Sequence, residues 1–465
     1  MAGLNKKELN ITQGSLLKKI ILFAIPLILT GLLQQLYNAA DLVVVGLFEG
    51  EIALAAVGAT GSLTNLVVGL FMGLSVGAGV SVAHHVGAEE YGEVKRVIHT
   101  AIPVSFILGI VVSIVGFIFA PDMLRLMDNP ENVIEHSTLY IRIIFLGIPA
   151  SLVYNYAASM LRSSGDAKHP LIFLSISGIV NVVCNVILIV FFNMGVAGVA
   201  IATISSQYLS AFMILVFMMR SKDYMHFSFK DIRIDRKKVS KILYIGIPSG
   251  IQSCLFSLGN VMIQSSINSL GDVVMAGSAA ASNLEGFVYI TMNALYHVSL
   301  TFVGQAIGAK AYGSIKKIVA YSSAVVSVIG LSCAGLILLF NRPLIGLYAP
   351  DNAPVIEEAF TRMLIILPGY FMCGIMEVLC GALRSMGKSI TAMVVSLAGA
   401  CGLRILWVKT VFHFVRTPEC VYFSYPVSWF ITAVCHLIFL SIFLHKLIKE
   451  NQNGVSPIKK LHERL

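Results

Sequence analysis

Charge is what this sequence has least of. Only 12% of its 465 residues are Asp, Glu, Lys or Arg, about half the share of a water-soluble globule, which excludes a chain built as one core under a solvated surface. Long polar stretches are missing too. None between apolar segments exceeds the 22 residues from Arg220 to Lys241, far below domain size, so no large soluble catalytic domain is present. There is no Walker motif, metal-ligand cluster or nucleophile elbow; neither ATP drive nor hydrolysis has a visible seat, and no enzyme activity is expected. Of eight cysteines, seven (Cys184, Cys254, Cys333, Cys373, Cys380, Cys401 and Cys435) fall inside apolar runs without metal spacing. Only Cys420 is placed at an exposed outer edge, so the cysteines read as small packing residues and not as a disulfide framework. The first apolar run follows Lys18 and Lys19, reaches about Gly46 and lacks a small-residue cleavage site. It is expected to stay as a helix.

Hydrocarbon fills the chain instead: 57% of residues are hydrophobic and the mean hydropathy is +0.84. A bilayer core roughly 30 Å thick takes about 20 apolar residues per helical crossing. Hydropathy places spans near 16 to 46, 54 to 83, 97 to 120, 134 to 157, 169 to 193, 196 to 220, 240 to 268, 276 to 305, 318 to 341, 357 to 382, 389 to 413 and 424 to 448. The expected fold is an all-α membrane protein with twelve transmembrane helices, multi-pass in the cell (plasma) membrane. With both termini cytoplasmic, the outer loops hold only Arg125, Arg342 and Arg416, while Arg142, Arg362, Arg404 and Lys409 lie within or near span ends. All other Lys and Arg then face the cytoplasm, as the positive-inside rule requires. Topology thus accounts for the net charge of +9, with the lipid bilayer as partner and no nucleic acid.

The chain also repeats itself. Gly87, Ala88, Tyr91, Gly92 and Lys95 recur as Gly308, Ala309, Tyr312, Gly313 and Lys316, an offset of 221. At 222, Pro26 meets Pro248, Asn38 meets Asn260, and Leu161-Arg162-Ser163 meets Leu383-Arg384-Ser385. These matches predict two pseudo-symmetric six-helix lobes: residues 1–220, a cytoplasmic linker 221–241, and residues 242–465. Six crossings return the chain to its starting side, so the halves are parallel repeats, an arrangement that builds transporters working by alternating access between halves.

Particular motifs resemble those of the multidrug and toxic compound extrusion (MATE) family over nearly the whole chain. They are the Pro26 helix with Tyr37-Asn38 and Asp41, the Gly-rich second span ending before Gly87-Ala88, the LRSSGDAKHP loop, Asn181, the GVAGVAIATISSQ opening of span six, and VGQAIGA closing span eight. The resemblance implies cation-coupled efflux of organic, often cationic, compounds. It also maps Asp41, Asn181, Asn185 and Thr203 onto the cation site of the family's amino-terminal lobe, where the position of Asn185 is commonly an aspartate.

The residues carry their own argument. Thr30, Gln34, Asn38 and Asp41 lie at i, i+4, i+8 and i+11, a polar stripe that cannot face lipid. A charged Asp in a span costs about 3 kcal/mol or more and normally faces a cavity, a partner or an ion path. The bland alternatives are an interhelical donor or solvation near the outer surface. Ser177, Asn181 and Asn185 share one face of span five, and Thr203, Gln207 and Ser210 one face of span six; such groups also serve simply to hold helices together. One carboxylate among amide and hydroxyl oxygens suits Na⁺ or a proton. Protons are favoured, since protonation neutralises Asp41, as burial demands. In the second half Met262 or Ile263 stands where Asp41 would recur and Leu403 where Asn181 would, so coupling is expected to be asymmetric.

Substrate or cavity candidates are Gln34, Tyr37, Asn38, Asn155, Gln207, Asn260, Glu285, Tyr289, Met292 and Glu377. Met and aromatic surfaces attract organic cations, though ordinary packing uses the same residues. Arg404 is the expected partner should Glu285 or Glu377 be paired. Pro26 and Pro248 each remove a backbone hydrogen bond inside a span and are assigned to helix bending. Gly69, Gly73 and Gly77 recur every four residues and predict a close helix approach. The reading is a cation-coupled antiporter, H⁺ favoured over Na⁺, exporting small organic cations as a monomer with no cofactor beyond the coupling ion. The alternative is a flippase for a lipid-linked oligosaccharide or other amphiphile.

Overall fold

The structure, a computed structural model, describes residues 15–48, 50–125, 131–346 and 352–453. Its elements in chain order are α1 (Leu16–Phe48), α2 (Gly50–Gly87), α3 (Tyr91–Arg125), α4 (Glu131–Ser163), α5 (Lys168–Val186), α6 (Gly195–Arg220), α7 (Arg236–Asn268), α8 (Asp272–Gly308), α9 (Tyr312–Leu339), α10 (Asn341–Gly346), α11 (Ala353–Ile366), α12 (Tyr370–Ser385), α13 (Ser389–Ser396), α14 (Leu403–Lys409), α15 (Val411–Phe414) and α16 (Pro418–Gln452). Among the described residues, twelve segments are long and apolar enough to cross a membrane, as the hydropathy predicts. The tenth is broken: Leu367–Gly369 forms a 3₁₀ turn between α11 and α12, because Pro368 has no N–H to continue the α-helical ladder. Large apolar side chains face outward all along the spans, with Ile118, Phe212 and Leu336 more than half exposed. Such a surface is stable against lipid and not against water.

The chain divides into two compact units, Leu29–Gly250 and a second made of Met1–Ile28 with Ile251–Leu465. Both breaks fall inside helices, two residues past Pro26 in α1 and two past Pro248 in α7. The central unit packs around α4, which lies against α2, α3 and α6 and buries Leu152, Tyr156, Met160 and Leu161. Here the glycine spacing of α2 has its reason. Gly73 lies against the backbone of Ser249 and Gly250, and Gly77 against the Ile242 carbonyl, so neither site has room for a Cβ. In the other unit α12 takes the place of α4, packed by α8, α9 and α16.

Turn geometry follows the repeat. Glu89 and Lys310, 221 apart, both hold positive φ (57° and 56°), and Gly165 and Gly387, 222 apart, do likewise (102° and 72°). The loop before α5 is capped by Asp166, which accepts from the Lys168 and His169 amides and from His169 Nδ1 at 2.5 Å. Burial acts to raise the Asp166 carboxyl, but these hydrogen bonds outweigh it and hold the group below the usual carboxylate range.

The segment between α6 and α7 is docked, not slack. Phe227 is 1% exposed, stacks on His99 of α3 with centroids 5.4 Å apart and donates its N–H to the Met218 carbonyl of α6 (3.1 Å). Thr100 Oγ1 donates to the Arg233 carbonyl at 2.8 Å, and the Ser228 amide to His99 Nε2 at 3.0 Å. Cys420, expected at an exposed edge, is 8% exposed, because its helix starts beneath the α14 turn, whose Trp407 Nε1 donates to the Cys420 carbonyl (2.9 Å).

Candidate functional site

Helices α1, α5 and α6 bring the sequence-predicted polar groups of the first lobe together around Asp41. Asn185 Nδ2 donates to Asp41 Oδ1 at 2.5 Å and lies 3.4 Å from Asn181 Oδ1. Asn181 Nδ2 in turn reaches Thr203 Oγ1 at 3.5 Å, and the Thr203 hydroxyl donates to the Val199 carbonyl at 3.0 Å. Thr203 and Tyr140 also interact with the Asp41 carboxylate. Asn181 and Asn185 are 4% and 0% exposed, one helical turn apart on α5. Among the described residues, every hydrogen-bonding neighbour of Asp41 is neutral.

Two features of α5 make this cluster possible. The Tyr37 ring lies across Gly178, where any Cβ would enter the ring, and its hydroxyl donates to the Ser175 carbonyl at 3.2 Å. This contact draws α1 onto α5 one turn before Asp41. Immediately after Asn185 the helix widens into a π turn, Ile187–Phe191, a rare geometry frequent at functional sites. Asn185 Oδ1 is left buried without a hydrogen-bond partner, an unmade interaction costing roughly 1–3 kcal/mol. The orphan oxygen, the carboxylate and the Asn181 and Thr203 oxygens together form an acceptor-rich nest. It suits a hard cation or a proton on Asp41 that donates back to the amide. Gln34 and Asn38 on the same stripe are exposed, and Gln207 directs a buried, unpartnered Oε1 toward Gly147. Asn155 is tied to its own helix through the Ser151 carbonyl at 2.8 Å.

The second unit treats its acids differently. Glu285 is not partnered by Arg404, the expected cation, but by Arg362. The guanidinium meets both carboxylate oxygens (Nε 2.8 Å, Nη2 2.9 Å) and also donates to Ser278 Oγ at 2.7 Å. A bidentate fork needs a planar donor pair, which Arg362 presents from α11 across α8. Arg404 instead donates to Ser428 Oγ at 2.8 Å and lies over the Tyr425 ring at 4.1 Å. Met292, expected at a cavity, is fully buried, its sulfur and methyl seated over Gly374 and Gly330 of the neighbouring helices. Glu377 is 8% exposed, with Tyr289 and Arg384 near enough to interact with its charge. Arg384 is itself held by Tyr296 (2.5 Å) and Gln252 (2.8 Å). Tyr289 and Asn260 are exposed.

Sequence reasoning passed over Arg362 as a span-end cation and recorded Arg384 only as a repeat match. The available signal was that an arginine inside the span 357 to 382, and a second two residues past its end, require partners. Among the described residues, no three His, Cys, Asp or Glu side chains gather as a metal cluster.

Comparison with known proteins places this architecture. The MatE family model matches residues 26–187 and again 248–408. The chain is 26% identical over 427 residues to the probable multidrug resistance protein YoeA of Bacillus subtilis, covering 90% of this chain and 92% of that one. It is 29% identical over 400 residues to the probable multidrug resistance protein YpnP of the same organism, covering 86% and 89%. A solved outward-facing multidrug resistance MATE family transporter of the MOP superfamily superposes with a TM-score of 0.89 at 19% identity, covering 97% of this chain and 100% of that one. At that identity the likeness speaks for the fold. Matched once in each six-helix half, the chain belongs to the MatE family of membrane transporters, the family its motifs resemble.

Proposed function

We propose that this transporter is a multidrug exporter working as an antiporter, in which an inward cation gradient acts at Asp41 while a small organic cation leaves. What carries the reading is an acid within a membrane span whose hydrogen-bonding neighbours, among the described residues, are all neutral. A carboxylate so placed is stabilised by taking up a cation, and protonation is the response that burial favours. With Asn185 in place of a second acid, a Na⁺ site has one negative charge less to offset dehydration, so H⁺ is favoured over Na⁺. Protonation replaces an Asp41 acceptor oxygen with a hydroxyl donor, for which Asn185 Oδ1 is a ready acceptor. A change of donor pattern shifts a conformational equilibrium only as far as the two states bind the proton differently. Pro26 and Pro248 are the proposed bending points.

For the substrate, Gln34, Tyr37, Asn38 and Gln207 supply polar contacts in one unit, and Asn260, Tyr289 and Glu377 in the other. Glu377 is the acid left for a cationic compound, since Arg362 neutralises Glu285. The names of YoeA and YpnP support multidrug substrates. We place the protein in the plasma membrane as a monomer with both termini cytoplasmic, and the coupling ion is the only cofactor this reading requires. The test is efflux of organic cations from proteoliposomes under an imposed pH or Na⁺ gradient. A pH gradient drives export by the native chain, and Asp41→Asn removes the gradient-dependent part of the rate, since an amide takes up no proton in this range. Transport indifferent to both gradients overturns the antiport reading, and coupled efflux by Asp41→Asn overturns the site.

A further inference from the structure

The second unit contains a cavity of about 1050 Å³ walled by α9 and α16 and floored by α12, just above the usual range of roughly 300–1,000 Å³ for small-molecule sites. Its meaning comes from the repeat. In the central unit the corresponding place, beside α3 and the end of α6, is taken by Phe227, which is 1% exposed, stacks on His99 and donates its N–H to the Met218 carbonyl. At the offset of 221, His99 falls on Ala320. Met218 falls on Leu440 at the offset of 222, or on Ser441 if α6 and α16 are aligned on their first residues. Ala320, Leu440 and Ser441 all line the cavity. A counterpart to Phe227 is missing for a structural reason: α6 ends after 26 residues and the chain turns back there, whereas α16 runs straight on for 35.

The cavity is apolar along its length and cationic at one end. Val319, Phe371, Ile375 and Leu437 form the apolar part, and Lys316 and His445 stand at the mouth, where α9 begins and α16 nears its end. Lys317, Lys446 and Lys449 flank them in sequence, against Glu450 as the nearby acid. Among the described residues no ion pair holds Lys316. From Phe430 to His445 the α16 wall rises about 22 Å at 1.5 Å per residue, more than one leaflet's share of a hydrocarbon core about 30 Å thick.

We propose that this groove binds one phospholipid with an anionic headgroup, its phosphate at Lys316 and His445 and an acyl chain along α12, in the position that Phe227 occupies in the other half. Basic pockets between transmembrane helices at a membrane boundary recognise such headgroups. The carboxyl-terminal residues 454–465 make the poorer occupant, since Lys459, Lys460 and Arg464 against Glu463 would set like charges at the mouth.

The experiment is native mass spectrometry of the full chain titrated with phosphatidylglycerol and with phosphatidylcholine of the same acyl chains. One phosphatidylglycerol is retained with a preference of roughly fivefold or more, as expected for a basic residue or two at the boundary. The Lys316→Gln/His445→Gln pair removes the preference while lipid of either kind still binds, and Lys316→Arg keeps it. Ala320→Trp fills the cavity and expels both lipids; Ser323→Phe, on the same wall, serves if that variant does not fold. Equal retention of the two lipids by the native chain overturns the proposal. So does a preference that survives the double substitution, or phosphatidylglycerol binding that appears only after residues 454–465 are deleted.

Discussion

A buried ion pair answers a different question from a buried lone acid, and this chain holds both. Glu285 and Arg362 are 4% and 3% exposed, so each charge depends on the other for compensation. Removing one partner leaves an uncompensated charge at a cost of about 3–5 kcal/mol, while replacing both by apolar groups of similar volume is close to neutral. Arg362→Leu is therefore expected to lower thermal stability sharply, and Glu285→Leu/Arg362→Met to recover most of it. Melting of the detergent-solubilised protein measures both, and a double variant as unstable as the single one would falsify the pairing argument. Which acids belong to which class was not legible in sequence. Glu285, Glu377 and Asp41 all look like charges in apolar spans, and the structure separates them: Arg362 arrives from 77 positions away to pair the first, Arg384 lies near enough to interact with the second, and Asp41 has neutral hydrogen-bonding neighbours among the described residues. The Asp41 neighbourhood was more legible, because Asn181 and Asn185 are one turn apart on a single helix and local periodicity alone puts them on one face.

Helices carry the repeat down to backbone geometry. Glu89 and Lys310 both occupy the left-handed region, where a non-glycine residue costs on the order of 1–2 kcal/mol. Glu89→Gly and Lys310→Gly are expected to preserve the fold and raise the melting temperature or leave it level; a drop of several degrees in either would show that the side chain outweighs the strain. Close approach is another property of elements. Because Gly77 lies against the Ile242 carbonyl, Gly77→Val should abolish monodisperse folded protein on fluorescence size exclusion. Gly286, with open space beside it, should accept Ala and gain up to about 1 kcal/mol of helix propensity. The glycine spacing of α2 announced a close contact. It did not name the partner, since any helix with small residues could have filled that role.

At the scale of the molecule, orientation is the property with a direct test. The proposed topology puts the 221–235 segment in the cytoplasm and Arg342 outside. In intact cells, Arg342→Cys is expected to react with a membrane-impermeant maleimide above the native cysteine background, and Lys230→Cys only after permeabilisation; the opposite pattern inverts the topology. The fold class, the twelve crossings, the duplication and the family were all determined by the sequence itself. Hydropathy and repeat offsets are local or periodic along the chain, and the bilayer forces each apolar run of about 20 residues into a helix. Tertiary structure decided the rest: that Arg362 and not Arg404 meets Glu285, that Met292 packs on glycines, that Phe227 takes the place beside α3 while the corresponding place stays open. Each of those outcomes depends on groups distant in sequence brought within a few ångströms, and one-dimensional spacing holds no record of such distances.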